Sequence, residues 1–121
     1  MTLRNLRIPF HIRILNSLDE LRDELDKSLE RLSAKNPFFC FDPILYRDKN
    51  LISLRENIEK HAGSLRCALI EDSRLETAQQ AQREALESRA DIIIAIGGGK
   101  CLDVAKYSAA QLGIPFAAIP T

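Results

Sequence analysis

The chain has 121 residues, enough for one domain that buries roughly two thirds of the surface its unfolded form exposes, and too few for a second full domain. Seventeen basic and seventeen acidic residues cancel, so the electrostatic footprint of a nucleic-acid or anionic-membrane partner is missing. No apolar run approaches the roughly 20 residues of a membrane span, and Met1 to Arg7 lacks the apolar core and cleavage site of a signal peptide, so a cytoplasmic setting is expected.

The segment from Arg7 to Leu15 alternates apolar and polar residues with a near two-residue period. It is expected to be a strand, and an edge strand, because Pro9 cannot donate a ladder bond. Asn16 marks its end. Ser17-Leu-Asp-Glu20 has capping-box spacing, and Leu18, Leu21, Leu25, Leu29 and Leu32 recur at helical intervals, which predicts an amphipathic helix. Phe38 to Phe41 is a short apolar strand entering Asp42-Pro43. A second helical stripe follows at Leu51, Leu54, Ile58 and Ala62 before Gly63. Leu65 to Ile70 is a third strand. Ser73-Arg-Leu-Glu76 repeats the capping-box spacing ahead of a helix that places Leu75, Ala78, Ala81 and Ala85 on one face. Residues 92–96 are five consecutive apolar residues, mostly β-branched, as suits a strand covered on both faces. Beyond the glycines at 97–99 a helix carries Leu102, Ala105, Ala109 and Leu112 on one face and stops at Gly113. Phe116 to Ile119 is a last short strand. Strands alternating with helices predict a doubly wound, mostly parallel α/β sheet of Rossmann-like type, with helices on both faces. Residues 1–121 are expected to form this one domain.

Cys40, Cys67 and Cys101 are odd in number, far apart and set within or beside apolar segments, the pattern of reduced core thiols. His11 and His61 lack neighbouring ligand residues and suggest no metal site.

The chemistry concentrates in the run from Asp91 to Lys106, a buried strand ending in Gly97-Gly98-Gly99-Lys100. Glycines there permit positive φ and close approach of a ligand to the backbone, and the helix that follows offers unpaired N–H groups to an anion. The loop lacks the third glycine of a Gly-x-Gly-x-x-Gly fingerprint, since Leu102 stands there. It fits a Walker loop worse, because Ile94 replaces the first glycine and Cys101 replaces the magnesium-binding hydroxyl. Lys100 opposes the helix macrodipole unless an anion is bound; otherwise it is a solvated lysine on a surface turn. Asp103 either complements the helix dipole or accepts bonds from ligand hydroxyls, and a ribose or a water suits it better than phosphate. Asp42, where the second strand gives way to a turn, is placed either to hold the two hydroxyls of an adenine ribose or to start a turn or helix before Pro43.

Phe41-Asp42-Pro43, Ile94 to Lys106 with its Gly-Gly-Gly-Lys-x-x-Asp pattern, and Ile119-Pro120-Thr121 together resemble the N-terminal domain of the iron-containing alcohol dehydrogenase superfamily, most closely its glycerol dehydrogenase branch. The resemblance implies a domain that binds NAD rather than NADP. Asp42 matches the position that holds the adenine ribose, Gly97, Gly98, Gly99 and Lys100 match the pyrophosphate loop, and Asp103 and Thr121 match positions that also line the dinucleotide. It also implies hydride transfer between a small polyol or alcohol and NAD, with a divalent zinc or iron ion as Lewis acid. In the family that metal is held by a helical C-terminal domain, which these 121 residues lack. No residue here is therefore expected to be catalytic or metal-binding, and no turnover is expected from this chain alone. Glycerol-1-phosphate dehydrogenase and 3-dehydroquinate synthase are related alternatives, the synthase matching less well at Lys100-Cys-Leu-Asp103. A different reading is a non-catalytic nucleotide-binding or interaction module. Phe116 and Ala117-Ala118 are expected to be exposed where a second domain packs, a motive for homo-oligomer formation.

Overall fold

The computed structural model describes residues 10–12, 34–49 and 65–120 with positions 23, 27, 52, 55, 56, 59 and 60, and the backbone alone at 10–12 and 120. The leucine stripe of the expected first helix, the stripe from Leu51 to Ala62, Asn16, His61 and Thr121 lie outside the described residues. Asp23 and Lys27, and likewise Glu56, Glu59 and Lys60, are helical and exposed, as polar positions of those two helices should be, and Ile52 is an exposed apolar residue among them.

Five strands form one sheet in the order β1-β5-β4-β2-β3: β1 (Phe10–Ile12), β2 (Pro37–Phe41), β3 (Cys67–Leu69), β4 (Ile92–Gly97) and β5 (Phe116–Pro120). Every pairing is parallel. β1 is an edge strand, as Pro9 predicts. β4 lies at the centre and is buried along its whole length. Continuous apolar runs are needed there because both faces of a parallel sheet are covered. Side chains alternate accordingly: Phe38, Cys40, Ile93, Ala95, Phe116 and Ala118 enter one core, and Phe39, Phe41, Ile92, Ile94, Ile96, Ala117 and Ile119 enter the other.

Three described helices accompany the sheet: α1, a single turn at Pro43–Tyr46, then α2 (Leu75–Glu87) and α3 (Gly99–Leu112). α2 and α3 pack on the same face through small side chains, Ala78, Ala81 and Ala85 of one and Ala105, Ser108 and Ala109 of the other. The buried Ser108 hydroxyl donates to the Ala78 carbonyl at 3.2 Å. Leu45 and Tyr46 of α1 lie against the opposite face. Right-handed crossovers explain this split. The chain steps β3 to β4 and β4 to β5 in one direction across the sheet and β2 to β3 in the other. Winding therefore reverses between neighbouring β2 and β4, which makes their carboxyl ends the switch point where doubly wound folds collect ligands.

Three expectations need correction. The Ser73–Glu76 capping box does not form: Arg74 is the N-cap residue and lends no side chain. Asp72 instead braces the helix start by accepting from the Arg74 N–H and the Thr77 hydroxyl, and Leu75 points outward at 57% exposure. The buried stripe of α3 is Cys101, Val104, Ala105, Ser108 and Ala109, with Leu102 and Leu112 only partly covered at its margins. Phe116, Ala117 and Ala118 are buried, not exposed, because β5 is flanked by β1 and β4. They offer no surface for oligomer formation.

At the opposite end of the sheet Asp91 accepts from the backbone N–H groups of Lys35 and Asn36. The Asn36 amide in turn donates to the carbonyls of Ser88 and Arg89. This clasp aligns the starts of β2 and β4 and so fixes the register that brings their far ends together.

Candidate functional site

β2 ends at Phe41 and β4 at Gly97, and the next residues of each meet. The Asp42 N–H donates to the Ile96 carbonyl at 3.2 Å, which extends the β2–β4 ladder beyond the last strand residue. Asp42 caps α1: its Oδ1 accepts from the Ile44 N–H at 2.8 Å. Pro43 at the first helical position suits that turn, since its missing N–H would have no partner there. The two roles the sequence leaves open for Asp42 are compatible, since holding the turn engages one carboxylate oxygen.

The three glycines differ in function. Gly97 has φ of +155°, a conformation L residues rarely adopt, and a Cβ there would lie 3.0 Å from the Asp42 Cβ and 3.2 Å from the Cys101 Cβ. It is required by the fold. Gly98 is the N-cap of α3 with ordinary extended angles, φ −87° and ψ −168°, and Gly99 is the first helical residue. A Cβ on either would meet nothing within 4 Å. Neither packing nor backbone strain demands glycine at these two positions. The space their missing side chains leave opens directly onto the first turn of α3.

Gly98 provides no side-chain cap, and the first turn carries no acidic residue. The N–H groups at the start of α3 and its positive dipole end therefore face outward, the arrangement that attracts phosphate oxygens. Lys100 is exposed on that turn, where a cation without an anion opposes the dipole. Asp103 is exposed one turn further on. It does not cap the helix and lies beyond its first turn, where the pull of the dipole is weaker.

Cys101, a weak fit to any phosphate loop, turns out to be internal. It is 1% exposed, and its thiol donates to the Cys40 carbonyl at 3.0 Å. Burial pushes its pKa up to about 12, and burial raises that of Cys40 as well. All three cysteines are free thiols; Cys40 and Cys101 are core residues as expected, whereas Cys67 is only partly buried. The contact between Asp42, Gly97 and Cys101 is invisible to local sequence reading, because β2 and β4 are neighbours only through the crossover topology.

A second concavity of about 440 Å³ runs between β3 and α2, lined by Cys67, Leu69, Glu76, Thr77, Gln80 and Glu84 among others. It lies on the far side of β2 from β4, with the Ile70 N–H on its lining donating to the Phe41 carbonyl at 2.9 Å, and carries none of the expected site residues. Among the described residues no group of three or more His, Cys, Asp or Glu can hold a metal ion, and no helix is long and apolar enough to cross a membrane.

Among curated proteins, the chain is 43% identical over 68 residues to glycerol-1-phosphate dehydrogenase (NAD(P)+) of Aeropyrum pernix, covering 56% of this chain and 19% of that protein. The same enzyme of Archaeoglobus fulgidus aligns over all of this chain at 24% identity, covering 33% of its own length. Among solved structures, glycerol dehydrogenase of Schizosaccharomyces pombe superimposes with a TM-score of 0.70 over 93% of this chain and 28% of that one, at 16% identity. The chain thus spans a third or less of the length of these proteins. The family model described as iron-containing alcohol dehydrogenase matches residues 16–121, a span that takes in both the Asp42 turn and the glycine loop. The chain belongs to the iron-containing alcohol dehydrogenase family.

Proposed function

We propose that residues 1–121 are the dinucleotide-binding domain of an NAD-dependent polyol dehydrogenase acting on a three-carbon polyol, free or phosphorylated. The observation that carries this reading is the open space over Gly98 and Gly99 beside an uncapped helix start, with Asp42 alongside at the switch point. The residues present fit a dinucleotide. The N–H groups at the start of α3, with Lys100, would hold the pyrophosphate, and Asp42 would accept from the ribose hydroxyls. The Asp42 carboxylate would repel a 2′-phosphate, which favours NAD over NADP. Asp103 and Thr121 are proposed as further contacts on the grounds of family position. When bound, NAD supplies the hydride acceptor; the part of this chain is to bind and orient it.

The described residues do not fit the zinc or iron ion of the family, so no metal-dependent step is assigned to them. The names of the curated relatives and of the structural neighbour support the three-carbon polyol. A cytoplasmic setting and freedom from nucleic-acid and membrane partners are part of the same proposal. Turnover by these 121 residues alone is not expected, and glycerol oxidation by the purified chain with NAD and added zinc would overturn that expectation.

The test is a titration followed by NADH fluorescence, which is read directly because the chain has no tryptophan. Micromolar binding should weaken about tenfold or more in Asp42→Ala, as for loss of a hydrogen bond to a charged group. It should be abolished in Gly98→Val. Equal, weak binding by all three proteins rejects the site.

A further inference from the structure

Cys101 has no place in the proposed ligand contacts, yet it sits where the two halves of the site touch. It is 1% exposed and so faces away from the crevice. Its thiol donates to the Cys40 carbonyl at 3.0 Å, across from α3 to β2, just before β2 delivers Asp42. On its other side the space is full: a Cβ at Gly97 would lie 3.2 Å from the Cys101 Cβ and 3.0 Å from the Asp42 Cβ. The first turn of α3 is thus tied both to β4, which it follows, and to β2, which it does not.

We infer that Cys101 is a positioning residue that sets the distance between the Asp42 carboxylate and the N–H groups at the start of α3, and thereby the affinity for a ligand that must engage both. This rests on the dinucleotide reading above. A ligand held at two points gains from the second only if the spacing is already correct, since a loose site loses the entropic advantage of preorganisation. Removing the thiol frees α3 to shift against β2. Each anchor survives, but their mutual register does not.

The experiment is a double-mutant cycle on the chain, with NADH affinity measured for wild type, Asp42→Ala, Cys101→Ala and the double variant. Cys101→Ser keeps a donor at the position and serves as the conservative control. In the wild-type background Asp42→Ala is expected to cost about tenfold, and in the Cys101→Ala background less than about threefold, because groups acting as a unit are not additive. The Cys101→Ser background should retain most of the Asp42 effect. Circular dichroism on each variant ensures that folded protein is compared. If Asp42→Ala is costly and the cycle is additive, the positioning role is wrong and the dinucleotide site stands. If Asp42→Ala has no effect in wild type, the dinucleotide site is wrong and this inference falls with it.

Discussion

Replacing Gly97 and Gly98 in turn separates what the fold requires from what a ligand requires. Gly97→Ala places a side chain at φ of +155° with contacts of 3.0 and 3.2 Å to Asp42 and Cys101. The disfavoured backbone costs about 1–3 kcal/mol and the overpacking about 1–3 kcal/mol more. A domain of this size has a total stability of about 5–15 kcal/mol, so this variant should lose a large part of it. Gly98→Ser meets open space at ordinary extended angles. Serine restricts the unfolded chain, worth about 0.4–1 kcal/mol, and is a better N-cap than glycine by a few tenths of a kcal/mol. The variant should therefore be slightly more stable than wild type. Its hydroxyl would nonetheless occupy the N–H groups and the space assigned to pyrophosphate, so NADH affinity should fall about tenfold or more. Urea unfolding and NADH titration of both variants measure the two effects. Loss of more than about 1 kcal/mol in Gly98→Ser, or undiminished NADH affinity in it, refutes the assignment of that space to a ligand. An unchanged midpoint for Gly97→Ala refutes the packing argument.

Other consequences follow from the thiols and carboxylates. Because burial raises the Cys101 pKa from 9.0 to about 12, the folded state keeps a proton that the unfolded state loses; stability should be fully present below about pH 9 and decline as pH rises toward 12, by up to about 1.4 kcal/mol per unit. Urea midpoints between pH 8 and 10.5 should fall less steeply in Cys101→Ala, and parallel slopes would count against the buried thiol. Asp72 is held near a pKa of about 2 by the Thr77 hydroxyl, then by Arg74. Its contribution is present above the usual 3.8 and lost as pH falls through 2, and carboxyl titration by NMR should give a midpoint near 2 that returns toward 3.8 in Thr77→Val. Asp91→Ala deprives the backbone N–H groups of Lys35 and Asn36 of their acceptor. It should cost about 1–3 kcal/mol of stability while leaving NADH affinity of the folded protein within twofold, since the clasp is at the other end of the strands.

The elements bearing the site were legible because their physical demands are local. Five apolar residues before a glycine run allow little but a buried strand, and Gly113 ends α3 in the left-handed conformation its C-cap requires, φ 68°. Fold class follows from the alternation of elements, whereas the switch point beside Asp42 needs the strand order, which places β2 next to β4. Errors arose where a partner outside the expected motif decided the outcome. Ser73 and Glu76 have capping spacing, but Asp72 has the better reach to Arg74 and Thr77. α3 buries Ser108 because α2 offers its hydroxyl the Ala78 carbonyl, and Cys101 because β2 offers its thiol the Cys40 carbonyl. β5 is internal because β1, far away in sequence, pairs along its outer side. The glycine run had to be divided into one residue the fold needs and two it does not, and only the approach of Asp42 to Gly97 makes that division.

The most direct test is backbone amide mapping by NMR as NADH is added to the labelled chain. The largest shifts should fall at Gly98, Gly99, Lys100 and Cys101 on α3 and at Asp42 and Ile44 across the β2–β4 junction, while the groove between β3 and α2 remains unmoved. Shifts centred on Cys67, Thr77 and Gln80 instead, or none at millimolar NADH, would contradict a dinucleotide site at the switch point.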